Sequence, residues 1–194
     1  MKLDRALRDS VHQILQHAQA YEWSLQGLGM LRLYLSREVR LHVWDSRFAA
    51  PDVSVIHTHP WNFTSYVLSG EIRQFRYVDW PQHAVPKTIL KRQKIQCGPD
   101  GCAVGDPEPV ELWREPMESY PVGSSYAQSA NEIHESFPTP GTVTVVERTF
   151  LPDSEHAYVY FTGEKWGEAT PRPATPEEVG AITGHALRRW EALP

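Results

Sequence analysis

A β-prone run from Val53 to Tyr77 contains two histidines, His57 and His59, that are separated by a single residue. Side chains two positions apart in a strand point to the same face of a sheet. Two imidazoles on one face can therefore take neighbouring positions around one metal ion. Gly70 follows eleven residues after His59 and predicts a turn into a second strand. The run thus predicts a strand–turn–strand unit that carries a pair of metal ligands.

The composition is that of an ordinary globular protein. The chain has 194 residues, of which 41% are hydrophobic and 22% charged, and this fits one domain with extensions. The net charge is −5 and no basic block occurs, so we expect no nucleic-acid partner. No apolar run approaches the roughly 20 residues of a membrane span, and the charged start lacks the apolar core of a secretory signal. We therefore expect a cytoplasmic protein with no membrane partner.

Hydrophobic periodicity predicts a mainly β protein with a helix at each end. Apolar residues at three-to-four spacing indicate a helix over residues 3–22. From Gly29 the period changes to two, which predicts strands at Met30–Leu35, Val39–Trp44, residues 53–59, Glu71–Trp80, Gly141–Phe150 and Ala157–Thr162. After a linker at 171–174, Thr175, Pro176 and Glu178 match the cap, first position and capping box of a C-terminal helix.

His42 shares its strand parity with Arg40 and Trp44 and lies opposite Leu41 and Val43. Because apolar residues on one face of a half-buried strand face the core, we expect His42 to point outward. A position in a pocket is the alternative.

Residues 81–121 are rich in proline, glycine and charge, and short strands are expected near Thr88–Ile95 and Val110–Arg114. Such an excursion is either a lid over a site or a meandering edge sheet. Cys97 and Cys102 flank a turn in this segment. We expect two reduced thiols there, since a zinc site would need further ligands.

A second segment brings another histidine: Ile133-His134 stands before Pro140-Gly141 and a valine-rich strand. Together with His57-x-His59 and Gly70, this arrangement resembles the two sequence motifs of the cupin superfamily. The resemblance covers roughly residues 29–162, although the Pro-x-Gly that precedes the family's later histidine is missing here. It implies a single double-stranded β-helix, the cupin or jelly-roll barrel, with N- and C-terminal helices outside it.

The resemblance also implies a metal site made of His57, His59 and His134. The glutamate ligand of many cupins would fall on Phe63, which cannot bind a metal. In this respect the site is similar to that of cysteine dioxygenase-like cupins, which hold non-heme ferrous iron through three histidines. Fe(II) is therefore the expected metal, with zinc, nickel or manganese as alternatives.

Other residues of the same segments are candidates for contacts with a small-molecule substrate. Trp61 and Phe63 would form an apolar wall beside the metal, and Arg148 would clamp a carboxylate if it faces inward. Glu132, Glu135 and Gln74 are candidates for hydrogen bonds to the ligand histidines. The expected substrate-binding set is Trp61, Phe63, Gln74, Tyr126 and Arg148.

The sequence therefore favours a metal-binding cupin that acts as a ferrous-iron-dependent dioxygenase, an oxidoreductase, on a small organic substrate. The alternatives are a non-catalytic binding or assembly module and a metal-dependent isomerase. The expected organisation is a helical extension at 1–28, a barrel at 29–165 and a linker with a helix at 166–194. Cupin barrels commonly pair, so a homodimer is also expected.

Overall fold

The structure is a computed structural model that describes residues 5–50, 56–80, 85–98, 101–152, 156–163 and 171–192. The helices are α1 (Arg5–Gln16) and α2 (Pro176–Glu191), with a 3-10 turn at Ala18–Ala20. The strands are β1 (Ser24–Gln26), β2 (Leu28–Tyr34), β3 (Val39–Ala49), β4 (Ile56–His57), β5 (Trp61–Ser69), β6 (Glu71–Val78), β7 (Lys87–Gly98), β8 (Gly101–Val104), β9 (Glu108–Arg114), β10 (Glu118–Pro121), β11 (Ser125–Gln128), β12 (Ile133–Pro138), β13 (Thr142–Phe150), β14 (Ala157–Phe161) and β15 (Arg172–Pro173).

The strands form two antiparallel sheets. Sheet A has the order β11-β5-β13-β3-β2-β1-β15, and sheet B has the order β10-β6-β12-β4-β14-β7-β8, with β9 paired to β6 and β7. Each strand pairing found in the described residues is antiparallel. The prediction of a mainly β protein with two helices is confirmed, and the two sheets are consistent with a sandwich of the jelly-roll type.

The main apolar core lies between the two helices and one face of sheet A. Alternate residues of β2, β3, β5 and β13 contribute to it, and so do the apolar stripes of α1 and α2. Its largest fully buried members are Val11, Leu15, Leu31, Leu41, Val43, Leu68 and Ile182. Because the helices cover this face of sheet A, the opposite face is directed toward sheet B.

The capping box of α2 is present as predicted. The side chain of Thr175 accepts a hydrogen bond from the backbone of Glu178, whose carboxylate accepts one from the backbone of Thr175. Helix α1 ends at Gln16, earlier than predicted, and a 3-10 turn continues to Ala20. In the part of the chain that the structure describes, no helix combines the length and apolar character that a membrane span requires.

Two predicted elements differ in detail. Segment 81–121 forms strands β7 to β10 and so follows the edge-sheet alternative in its described residues. In that hairpin, Cys97 and Cys102 are directly opposite in the backbone register, while the state of the two thiols stays a prediction. The linker at 171–174 contains β15, which pairs with β1.

The turn predicted at Gly70 joins β5 to β6. Gly70 has a φ of +77°, and a Cβ at this position would come within 2.3 Å of the hydroxyl of Thr142. Glycine is therefore needed both for the left-handed backbone and for the close approach of β13.

A buried carboxylate fixes α2 to sheet A. Asp45 on β3 has a fully buried side chain that accepts hydrogen bonds from Arg47 at 2.8 and 2.5 Å and lies 3.1 Å from Nδ1 of His185 on α2. The bonds from Arg47, together with His185, lower the pKa of Asp45 from 3.8 to about 2. The charged carboxylate is therefore the form that the folded state prefers.

Replacing Asp45 by asparagine is expected to lower the free energy of unfolding at pH 7 by about 2 kcal/mol. A lowered carboxyl pKa contributes stability that is complete above about pH 4 and is lost as the pH falls toward 2. Urea unfolding of wild type and Asp45→Asn at pH 7 and pH 3 measures this, with Asp9→Asn as an exposed control. A stability difference of equal size at both pH values would contradict the assignment.

Candidate metal centre

Three histidine side chains meet between the two sheets. The ligand nitrogens of His57, His59 and His134 all lie within 4.8 Å of one another. Their ring centroids are 4.5 to 5.1 Å apart. His134 is almost completely buried, and the other two rings are partly exposed. The structure therefore brings together the three metal ligands expected from the sequence.

Thr58 holds the first two histidines in place. Its backbone N–H donates to the carbonyl of Tyr158 on β14 at 2.9 Å, and its hydroxyl accepts a hydrogen bond from the N–H of Tyr158 at 2.8 Å. Thr58 is 2% exposed. Because this residue is fixed on one side of the chain, its neighbours His57 and His59 project to the other side.

The histidine strand ends earlier than the sequence predicted. Strand β4 ends at His57, and His59 lies between β4 and β5, just before Pro60. Proline lacks an N–H and cannot continue a hydrogen-bonded ladder, while it keeps the preceding residue extended. His59 therefore lies outside the strand ladder. Residues 53–55 of the predicted strand lie outside the described residues.

A tight loop before β12 supports His59 from the other side. The backbone N–H of Asn131 donates to the carbonyl of His59 at 3.0 Å, and Asn131 has a left-handed φ of 63°. In the same loop, the N–H of Ala130 donates to the side chain of Asn62 at 2.7 Å. Asparagine tolerates this backbone conformation better than most residues.

His134 reaches the site from β12, where it is paired with His57 on β4. Its Nδ1 lies 3.3 Å from the backbone carbonyl of Glu132. A carbonyl can only accept a hydrogen bond, so Nδ1 carries the proton and Nε2 keeps its lone pair. This is the usual way in which a protein fixes the tautomer of a metal-binding histidine.

The surroundings favour the neutral form of His59 and His134. Burial, assisted by the neighbouring His57, lowers the pKa of His59 and of His134 well below the ordinary value of 6.5. Neutral imidazole is the form that binds a metal ion. Metal–imidazole bonds are about 2.0–2.1 Å long, so small changes in the ring torsions bring three nitrogens at this spacing to one ion. The donor set therefore fits a metal such as iron, zinc or nickel.

No carboxylate belongs to the ligand group within the described ranges. Phe63 instead lies against it, with its ring centroid 5.2 Å from that of His59 and 6.3 Å from that of His134. Glu132 forms an ion pair with Arg76 at 2.7 Å. Glu135 accepts a hydrogen bond from Tyr77 at 2.7 Å, on the opposite face of β12 from His134. Glu132 thus contributes its backbone carbonyl to the centre.

The predicted substrate-binding residues lie around the triad. Trp61 stacks on His59 with 5.2 Å between centroids. Tyr126 lies 6.1 Å from the ring of Phe63, and burial raises the pKa of its phenol to about 12. Gln74 is fully buried and donates to Gln128 at 3.2 Å. Trp61 and Phe63 thus contact the triad directly, and Tyr126 lies one ring farther out.

Arg148 faces inward, directly opposite Phe63 in the register of β13 and β5. It is 6% exposed, and its guanidinium carbon lies 5.1 Å from the ring centroid of Trp61. In the sequence, Arg148 follows Thr144 and Val146 at steps of two, which predicts that all three share one face of the strand.

The prediction for His42 is wrong. His42 is 8% exposed and lies inside the sandwich, since Leu41 and Val43 face the helices instead. Arg40 and Arg32 share this inner face, because Arg40 is two residues from His42 and Arg32 is its cross-strand partner on β2. Sequence reasoning missed both arginines as site residues, although their shared strand parity with His42 was visible.

No protein-family model matches the chain, and no curated protein matches it at a significant level. The assignment of function therefore rests on the chemistry of the centre itself.

Replacing Phe63 by glutamate places a carboxylate beside the triad. We expect the Phe63→Glu variant to bind a divalent metal about tenfold or more tightly than Phe63→Gln, because it adds an anionic ligand beside three neutral ones. Competition against a chromophoric chelator measures the two affinities. Glutamine has nearly the same size and no charge, so equal affinities would mean that position 63 does not face the ion.

Proposed function

We propose that the protein is a metal-dependent oxidoreductase of the cupin type that oxidises a small organic substrate with dioxygen. The observation that carries the proposal is the convergence of His57, His59 and His134, with no carboxylate among the described residues in their group. The antiparallel sandwich and the position of the triad between its sheets support the cupin barrel as the finer description of the fold.

The three histidines would hold the ion through neutral nitrogen ligands grouped on one side. A bound ferrous ion supplies Lewis acidity and one-electron chemistry toward dioxygen. The protein's own contribution is to keep His134 in the correct tautomer through Glu132 and to keep His59 fixed through Asn131. Both contacts hold the ligands in advance, which reduces the cost of assembling the site.

The surrounding residues favour a redox function over the isomerase alternative. Isomerases need a base placed near the substrate, and the carboxylates adjacent to His134 are engaged elsewhere. Glu132 is paired with Arg76, and Glu135 is bonded to Tyr77 on the far face of β12. The aromatic rings of Trp61 and Phe63 beside the triad instead suit a water-poor pocket for a small organic molecule.

Metal analysis of protein purified without a polyhistidine tag or chelator tests the first step. We expect near-stoichiometric iron in wild type and a loss of affinity of about 100-fold or more in His134→Ala, since one of three ligands is removed. His17→Ala is the matched control, because His17 is exposed and its Nδ1 lies 3.0 Å from the carbonyl of Gln13 in helix α1, outside the triad. Wild-type protein that is metal-free and cannot be reconstituted would remove the oxidoreductase proposal.

Oxygen uptake tests the second step. Iron-loaded wild type is screened in an oxygen electrode against thiols, diketones and carboxylic acids, with His134→Ala as the blank. Uptake that needs both iron and one of these compounds supports the proposal. A protein that binds zinc and consumes no oxygen would point to non-redox chemistry, and one that binds small molecules equally well without metal would be a binding module.

A further inference from the structure

Three arginines surround one aromatic ring near the metal centre. The guanidinium carbons of Arg32, Arg40 and Arg148 lie 5.1, 4.7 and 5.6 Å from the centroid of Tyr34. These residues come from the adjacent strands β2, β3 and β13 and share the inner face of sheet A. We call this group the arginine cleft.

The arginine cleft is one aromatic ring away from the triad. The guanidinium carbons of Arg40 and Arg148 lie 5.0 and 5.1 Å from the centroid of Trp61. The same indole stacks on His59. Tyr34 is half exposed and marks the open side of the cleft. A small molecule held by the guanidinium groups would therefore lie about one indole ring away from the metal centre.

No carboxylate forms an ion pair with these three guanidinium groups in the part of the chain that the structure describes. In the described structure their side chains donate hydrogen bonds to neutral acceptors: Arg32 to the hydroxyl of Ser24, Arg40 to the phenol of Tyr34, and Arg148 to the carbonyl of Arg37. The Nε atoms of Arg40 and Arg148 are buried without a hydrogen-bond partner. A further acceptor is thus missing from this group.

Arg92, in the same chain, combines stacking on a tyrosine with hydrogen bonds to a carboxylate. Its guanidinium carbon lies 5.1 Å from the ring centroid of Tyr158, and its nitrogens donate to Glu108 at 3.0 and 2.7 Å. Stacking on a tyrosine therefore does not by itself replace an anionic partner. Among the described residues, the cleft has the stacking without a carboxylate at ion-pair distance, although the charge of Glu38 acts on Arg148 from farther away.

The clustering of three partly buried guanidinium groups has an electrostatic cost. Burial is the main cause that lowers the pKa of Arg32, Arg40 and Arg148, and for Arg40 the pKa falls to about 9, with the two other arginines contributing. Three like charges with little water around them are unfavourable unless an anion compensates them. A ligand with more than one negative charge would provide this compensation.

We propose that the arginine cleft binds a doubly charged oxyanion group of the substrate, a phosphate, phosphonate or dicarboxylate, beside the metal centre. The planar fork of a guanidinium matches the oxygens of all three groups. The inference rests on the proposed function in one respect, namely that the bound anion is the substrate. It adds the chemical class of that substrate. Binding of the anion itself needs no metal.

Isothermal titration calorimetry at low ionic strength tests the cleft with phosphate, malonate and acetate as probes. We expect phosphate or malonate to bind wild type with a dissociation constant on the order of 1 mM or tighter, and acetate to bind about tenfold or more weakly. Arg40→Gln and Arg148→Gln should each weaken the dianion about tenfold or more. Arg92→Gln is the control and should bind as wild type does.

The comparison of phosphate with malonate separates a phosphoryl group from a dicarboxylate. Thermal unfolding verifies that each variant is folded. If Arg148→Gln does not fold, Arg32→Gln replaces it in the same binding experiment. Absence of saturable binding to wild type, or equal binding by the arginine variants, would overturn the proposal.

Metal content measured on the same samples separates this inference from the proposed function. Arginine-dependent dianion binding by a chain that never takes up metal would support the cleft and remove the oxidoreductase. Metal uptake that depends on His134, without any dianion binding, would overturn the anion-binding proposal and leave the proposed function standing.

Discussion

The burial of one face of sheet A under the two helices is the interaction on which the site depends. Leu41, Val43 and Leu68 pack against α1 and α2, so the core of this sheet lies outside the sandwich. In most sandwiches the facing surfaces of the two sheets must supply the core. Here the helices supply apolar cover, and the inner face is free to carry His42, Arg148 and other polar groups.

The polar interior is held by hydrogen bonds at its edges. Thr58 is bonded twice to the backbone of Tyr158, and Asn131 is bonded to the carbonyl next to Pro60. These contacts use backbone groups that would otherwise lack partners at the end of β4, where the pairing of the strand stops. The same hydrogen bonds therefore give these backbone groups their partners and hold the metal-binding histidines in place.

Inside the sandwich, the histidine triad and the positively charged arginines lie on opposite sides of Trp61. Burial favours the neutral form of His59 and His134, and Phe63 and Trp61 line the triad, whereas Arg40 and Arg148 concentrate positive charge on the other side of that indole. Neutral ligands leave a metal ion its full charge, so the whole site is electropositive once an ion is bound. An anionic ligand is the natural complement of such a site.

The sequence by itself determined the strand and helix pattern, the turn at Gly70, the capping box and the three histidines, because each depends on local spacing or on a single residue type. It did not reveal that His59 follows the end of its strand, since that depends on pairing with β14. It also misplaced His42, because parity separates two faces of a strand without telling which one is inside. Only the tertiary structure decided this, when the helices covered the apolar face and left the arginine cleft beside the triad.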